Sequence, residues 1–279
     1  MSADYLEQLD VSALGLLAES TGVAARDDAA RFFSEQPNGI RLALGSPDAV
    51  QLLDRTLPGG QAHRLLQIAV AVHRTAEDIF AAGWTARDQS PVDLPLLRFA
   101  GQGSYQKLMV ELLGSFLPLE VPYGLDLTQL GDSRAPARPG SISRLHDLID
   151  LIGRVGETER AGALRLLADE ALFTAGVCPA PAAHHHIGED ELGAIEQVLP
   201  GAVRGLMEEL GPSIKTQLDL YLRFGPVWYR MAAQDLIHLT MRSSLSDLAR
   251  EFSNARRFLV RIVQGPLSSL HAEMFAVPC

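Results

Sequence analysis

Cysteine, lysine and asparagine are scarce in this chain of 279 residues, which has two of each. Two cysteines cannot supply the disulfide framework of a small secreted domain. The basic residues are nearly all arginine, a usage typical of GC-rich bacterial genomes, and they form no basic run. A nucleic acid backbone binds to concentrated positive charge. Because 34 acidic residues outnumber 24 basic ones, we expect no nucleic acid partner.

Long hydrophobic runs are also absent. The most apolar stretch, residues 65–72, falls far short of the roughly 20 residues that span a bilayer. The first residues are acidic and lack the basic and apolar segments of a signal peptide. We therefore expect no membrane partner and a cytoplasmic location, where both cysteines would be reduced.

Apolar side chains make up 47% of the chain and recur mostly at spacings of three and four residues. This period is typical of α-helices. It predicts an all-α, multi-helix bundle that includes a helix over residues 61–82 and another over 226–242. Prolines and glycines gather in residues 131–140. They predict a linker between two helical halves, 1–130 and 141–279, unless both form one domain.

Three consecutive histidines precede a run of acidic residues. His184 and His186 would project to the same side of an extended segment, and Glu189 supplies a carboxylate nearby. Two histidines and a carboxylate can hold iron or zinc, so these three residues are the candidate metal ligands. The cofactor stays open between iron, zinc and haem. The alternative is a solvated loop before a helix whose N-terminus favours the acidic residues.

A further pair, His73 and Glu77, lies four residues apart on the predicted helix over residues 61–82. We interpret it as a solvated pair on the outer face of that helix. If both side chains faced inward, they would form a second candidate pair of ligands.

An aromatic stretch in the C-terminal part leads to another polar pair. Asp235 and His238 are three residues apart, on one face of a predicted helix, and with Tyr229 they form the candidate catalytic set. The candidate ligand-binding residues are Tyr221, Phe224, Trp228 and Arg230. The alternative is that the polar pair is buried and mutually hydrogen-bonded, and that the aromatic side chains form core.

Residues 166–179, with the sequence LLADEALFTAGVCP, resemble an uncharacterised all-helical family of GC-rich bacteria, as do Tyr229 and residues 248–252. In that family, a Gly-Asp-x-x-Leu-Phe-x-x-Gly stretch precedes a helix with two adjacent tyrosines. Here Ala168 stands in place of the first glycine and Trp228 in place of the first tyrosine. The resemblance covers the C-terminal half, implies an all-helical fold and implies no activity.

These patterns favour a protein that binds or acts on a small molecule. The histidines favour a metal- or haem-dependent enzyme of bacterial specialised metabolism. The aromatic residues around Trp228 favour a ligand-binding module without chemistry, and the acidic N-terminal part favours a scaffold for other proteins. The sequence does not decide whether the protein is an enzyme or whether it forms a homo-oligomer.

Overall fold

The computed structural model describes residues 9–53, 61–85, 93–117, 142–201, 204–205, 214–236 and 239–275. Most of them are helical, and the only extended pairing that they make is an isolated antiparallel bridge between His186 and Thr216. The predicted all-α, multi-helix fold is therefore confirmed. Within the same ranges, no helix is both long enough and apolar enough to cross a membrane.

The packing of the chain divides it into two compact units. Unit 1 comprises Met1–Leu127 and Phe258–Ala276, and unit 2 comprises Thr128–Arg257 and Val277–Cys279. Residues 258–276 thus pack with the N-terminal part of the chain, a grouping that the sequence pattern does not indicate. The linker predicted for residues 131–140 lies outside the described residues.

Local signals in the sequence explain where the helices of unit 1 begin and end. The Asp10 carboxylate accepts a hydrogen bond of 2.7 Å from the amide of Ala13 at the start of α1, and Gly22 ends α1 with a φ of 66°. The described helices of the N-terminal part are α1 (Val11–Thr21), α2 (Ala29–Glu35), α3 (Pro37–Gly45), α4 (Gln61–Thr85), α5 (Leu94–Ala100) and α6 (Gly103–Ser115).

Helix α4 forms the centre of unit 1 and packs against α3, α5 and α6. It confirms the helix predicted over residues 61–82. Residues 65–73 of α4 are all buried, His73 with only 5% of its surface exposed, whereas Glu77 is exposed. The interpretation of His73 and Glu77 as a solvated pair is therefore wrong for the histidine. The face of α4 that packs inward is wide enough to include it.

Unit 2 is centred on two long helices, α8 (Glu157–Val177) and α11 (Gln217–Asp235), which pack directly against each other. The Thr216 side chain caps α11 by accepting a hydrogen bond from the Asp219 amide, and the Asp219 carboxylate accepts one from the Thr216 amide. The described helices are α7 (Ile142–Arg154), α8 (Glu157–Val177), α9 (Pro179–His184), α10 (Glu189–Val198), α11 (Gln217–Asp235), α12 (Leu239–Arg250) and α13 (Phe252–Gln264), which ends in unit 1 before α14 (His271–Phe275).

Pro226 lies inside α11, so the prediction of a helix over residues 226–242 is wrong at both ends. A proline in a helix interior removes a hydrogen bond and costs about 3 kcal/mol. Phe224 and Trp228, on either side of it, are completely buried against the rest of unit 2. Burial of large side chains stabilises by about 1.5–3 kcal/mol each, so tertiary packing keeps the helix continuous across the proline.

Gly225 is the point of closest approach between α11 and its neighbours. A Cβ atom at this position would lie 2.5 Å from the Phe252 ring and 3.3 Å from the Cβ of Ala171 in α8. The Phe252 ring is buried beside Tyr229, with 6.2 Å between ring centroids, so it has little room to move. A glycine is therefore required here by packing.

We predict that Gly225→Ala lowers the free energy of unfolding of unit 2 by about 1–3 kcal/mol, because the added methyl group overpacks the core. Gly162→Ala is the matched control. Gly162 lies in the interior of α8 with open space around its Cα atom, so alanine there should stabilise by about 0.5–1 kcal/mol through helix propensity. Denaturant unfolding of the two variants measures both effects. A stabilising Gly225→Ala would contradict the packing argument.

Cys178 lies between α8 and α9, where it is almost completely buried and disulfide-bonded. The expectation of a reduced thiol is therefore wrong for Cys178. The second cysteine of the chain, Cys279, lies outside the described residues. Structural disulfides are rare in most cytoplasmic proteins. The disulfide at Cys178 therefore does not support the cytoplasmic location, which stays a prediction.

Candidate functional site

The three predicted metal ligands lie exposed on unit 2, but on different elements. His184 is the last residue of α9, with its Nδ1 atom 2.7 Å from the carbonyl oxygen of Ala180, and Glu189 is the first residue of α10. Because His184 is helical, the extended geometry that would place it beside His186 does not hold. In the described parts of the chain, no three His, Cys, Asp or Glu side chains are grouped to hold a metal ion. The metal site stays a prediction.

The predicted catalytic residues occupy different environments. Asp235 is the exposed last residue of α11, and His238 lies outside the described residues. Tyr229 is completely buried in the middle of unit 2. The structure therefore does not show the three side chains converging on one accessible position.

The predicted ligand-binding aromatic residues fill the core of unit 2. Tyr221, Phe224 and Trp228 have no exposed surface, and their ring centroids lie 6.3 Å (Tyr221–Trp228) and 5.6 Å (Phe224–Trp228) apart. The Trp228 Nε1 atom has no hydrogen-bond partner within the described ranges. Arg230 is exposed and does not share this environment. A ligand would have to displace core packing to reach the three rings.

A buried ion pair joins α7 to α8. The side chain of Glu170 has no exposed surface, and its Oε2 atom lies 3.2 Å from Nε of Arg144, whose side chain is 22% exposed. The hydroxyl of Thr174 donates to the other carboxylate oxygen at 3.3 Å. A buried carboxylate is tolerated only when it is paired and hydrogen-bonded in this way.

The preceding residue, Asp169, makes a second buried contact, to α11. The Tyr229 hydroxyl donates a hydrogen bond of 2.6 Å to its Oδ1 atom, and Nε of Arg165 lies 3.4 Å from Oδ2. Burial raises the pKa of the Asp169 carboxyl, against the opposing effects of Arg165 and of the Tyr229 hydrogen bond. Asp169 and Tyr229 both belong to the residues that resemble the all-helical family. They are 60 residues apart in the sequence, and the fold brings them into contact.

These two buried carboxylates hold α7, α8 and α11 together through specific partners. Each is enclosed by side chains of unit 2 that satisfy it. Burial also raises the pKa of the Tyr229 hydroxyl well above its ordinary value, so it stays protonated and continues to donate to Asp169. The arrangement is suited to fixing helix register rather than to exchanging protons with a substrate.

An open pocket of about 350 Å³ lies elsewhere on unit 2, where the end of α7, the start of α8 and the end of α10 meet. We call it the Arg160 pocket. Its volume falls within the range of small-molecule sites, about 300–1,000 Å³. The residues that line it are Ile152, Gly153, Val155, Glu157, Arg160, Gln197 and Val198.

Arg160 gives the pocket its positive charge. Its Nε atom is buried and has no hydrogen-bond partner in the described part of the chain. A buried donor without a partner costs about 1–3 kcal/mol, and more when it is charged. Guanidinium groups bind carboxylates through two parallel hydrogen bonds, and Nε supplies one of them in the side-on geometry. An acidic ligand would therefore satisfy this atom.

None of the residues that line this pocket is marked as a site by a sequence pattern. Helix α8 was recognisable from its apolar period, and the Glu157–Arg160 spacing of three residues places both side chains on one face of its first turn. That spacing is common on exposed helices and does not by itself indicate a site. The contribution of Gln197 and Val198 depends on how α10 packs against α7, which no local pattern reveals.

Comparison of the chain with protein-family models, with curated proteins and with solved structures gave no match.

Proposed function

We propose that unit 2 is a ligand-binding module that binds a small organic acid in the Arg160 pocket. The observation that carries this proposal is the buried, unpartnered Nε atom of Arg160 in the lining of a pocket of ligand size. Most of the surface that the pocket exposes is polar, which suits a charged ligand.

The lining favours binding over catalysis. Ile152 is buried, and Val155 and Val198 are half-buried, so the pocket has an apolar wall beside its charged groups. Glu157 is the only side chain of the described lining that commonly acts as a general base, and the described lining contains no histidine, cysteine, serine or tyrosine to act with it. A metal- or haem-dependent reaction would need the histidines described above, and these do not line the pocket.

The test is a titration of the full chain with 4-methylpentanoate, a small carboxylate with an apolar tail, followed by isothermal calorimetry. We predict saturable binding to one site that weakens about tenfold or more in Arg160→Gln, because charge-assisted hydrogen bonds contribute about 1.5–3 kcal/mol.

Arg154→Gln is the matched control for this titration. Arg154 is an exposed arginine at the end of α7 that pairs with Asp150 at 3.6 Å and is not part of the pocket lining. Its replacement removes the same charge nearby and should leave the affinity unchanged. Absence of saturable binding, or equal affinity in Arg160→Gln and wild type, would overturn the proposed function.

A further inference from the structure

The Arg160 pocket carries a negative group as well as a positive one. Glu157 and Arg160 both line it, one helical turn apart on α8. Oppositely charged residues at this spacing are neighbours on a helix surface and commonly pair. Glu157 is exposed and belongs to no ion pair among the described residues, and the Nε atom of Arg160 has no hydrogen-bond partner among them. Both charges therefore remain available to a ligand in the pocket.

A ligand with a carboxylate alone would satisfy only half of this arrangement. Its carboxylate would bind Arg160 but would leave Glu157, a like charge, close to it without a counter-ion. A ligand that also carries an ammonium group would pair with both side chains. The small distance between the ammonium and carboxylate groups of an α-amino acid matches two side chains that lie one helical turn apart.

We propose that the ligand class of the Arg160 pocket is a zwitterionic α-amino acid with an apolar side chain. Its carboxylate binds Arg160, its ammonium group pairs with Glu157, and its side chain packs against Ile152, Val155 and Val198. This inference rests on the proposed function, because it names the ligand of the same site. The pocket volume of about 350 Å³ lies near the lower limit for small-molecule sites and suits a ligand of this size.

Three probes that share the isobutyl group of leucine test the inference by calorimetry on the full chain. Leucine carries both charges, 4-methylpentanoate lacks the ammonium group, and 3-methylbutylamine lacks the carboxylate. We expect leucine to bind up to about fivefold more tightly than 4-methylpentanoate, the gain that a solvent-exposed ion pair of about 1 kcal/mol provides. We expect 3-methylbutylamine to bind most weakly, because it cannot use Arg160.

Glu157→Gln and Glu159→Gln form a matched pair of variants. Both residues are exposed acids in the first turn of α8, but only Glu157 lines the pocket. Glu157→Gln should abolish the preference for leucine over 4-methylpentanoate, and Glu159→Gln should retain it. Both replacements change the charge at the helix N-terminus equally, so the comparison isolates the contact with the ligand.

The two proposals fail in different ways. Equal affinities for leucine and 4-methylpentanoate, both lost in Arg160→Gln, would overturn the zwitterion inference and leave the proposed function intact. A preference for leucine that survives Glu157→Gln would also overturn the inference. If none of the three probes binds, both proposals are overturned.

Discussion

Replacement of Arg144 by leucine is expected to lower the free energy of unfolding of unit 2 by about 3–5 kcal/mol. The guanidinium of Arg144 is the charged partner of Glu170, whose side chain has no exposed surface. Loss of Arg144 removes the positive charge that faces this buried carboxylate, and the Thr174 hydroxyl, a neutral donor, cannot replace it. This is the largest single effect that we predict for unit 2.

Tryptophan fluorescence during urea unfolding measures this effect. Trp228 is completely buried in unit 2, and a Trp84→Phe background makes it the sole tryptophan, because the chain has two. Arg154→Leu is the matched control: Arg154 lies on the same helix, but its ion pair with Asp150 is exposed on both sides. We expect a change within about 0.5 kcal/mol there, since exposed ion pairs contribute little.

A double variant, Arg144→Leu with Glu170→Leu, distinguishes the contribution of the ion pair from the cost of burying the Glu170 carboxylate without Arg144. It should recover much of the stability that Arg144→Leu loses, because apolar replacements of a complete buried pair are often tolerated. Equal stability of Arg144→Leu and Arg154→Leu would contradict the claim that Arg144 stabilises the buried Glu170 carboxylate.

The stability of unit 1 is expected to fall by roughly 3 kcal/mol as the pH is lowered from 6.5 to 4, through His73. Burial, and then the charge of Arg41, lower the pKa of His73 from 6.5 to about 4. Between these values the unfolded chain binds a proton that the folded chain does not, so protonation favours unfolding. The difference between 6.5 and about 4 corresponds to roughly 3 kcal/mol at about 1.4 kcal/mol per pKa unit.

Hydrogen exchange of the backbone amides of α4 measures this effect, because it reports the opening free energy of unit 1 locally. Carboxyl groups also titrate in this range, so the slope of stability against pH is compared with that of His73→Leu rather than read alone. The slope should be shallower in His73→Leu than in the wild type. The slope of Arg41→Gln should lie between those of the wild type and His73→Leu. Identical slopes in wild type and His73→Leu would contradict the buried, neutral state of His73.

Features with a local cause could be predicted from the sequence. The apolar run at residues 65–72 predicted the central helix of unit 1, and the apolar spacing along the chain predicted the all-α fold. The start of a helix at Pro226 was predicted on local grounds and is wrong, because burial of Phe224 and Trp228 outweighs the cost of an internal proline. Sequence alone gives the propensity of a segment but not the packing that overrides it.

Features that depend on contacts between distant residues could not be predicted. Arg144 and Glu170 are 26 positions apart, and Asp169 and Tyr229 are 60 apart, so neither pair follows a helical period. The inward position of His73 could have been suspected from the buried residues beside it on α4, but its polar side chain argued for the outer face. The Arg160 pocket depends on three helices whose packing is set by the whole of unit 2.

The most direct test of the proposed ligand site is a backbone amide correlation spectrum of the full chain, recorded during titration with leucine. Binding in the Arg160 pocket predicts saturable shifts at Gly153, Val155, Gln197 and Val198, which lie on two different parts of the chain. The same titration of Arg160→Gln should need about tenfold or more leucine to move these resonances. Shifts that are absent from these residues, or that saturate at the same leucine concentration in Arg160→Gln as in the wild type, would contradict the assignment of the pocket as the binding site.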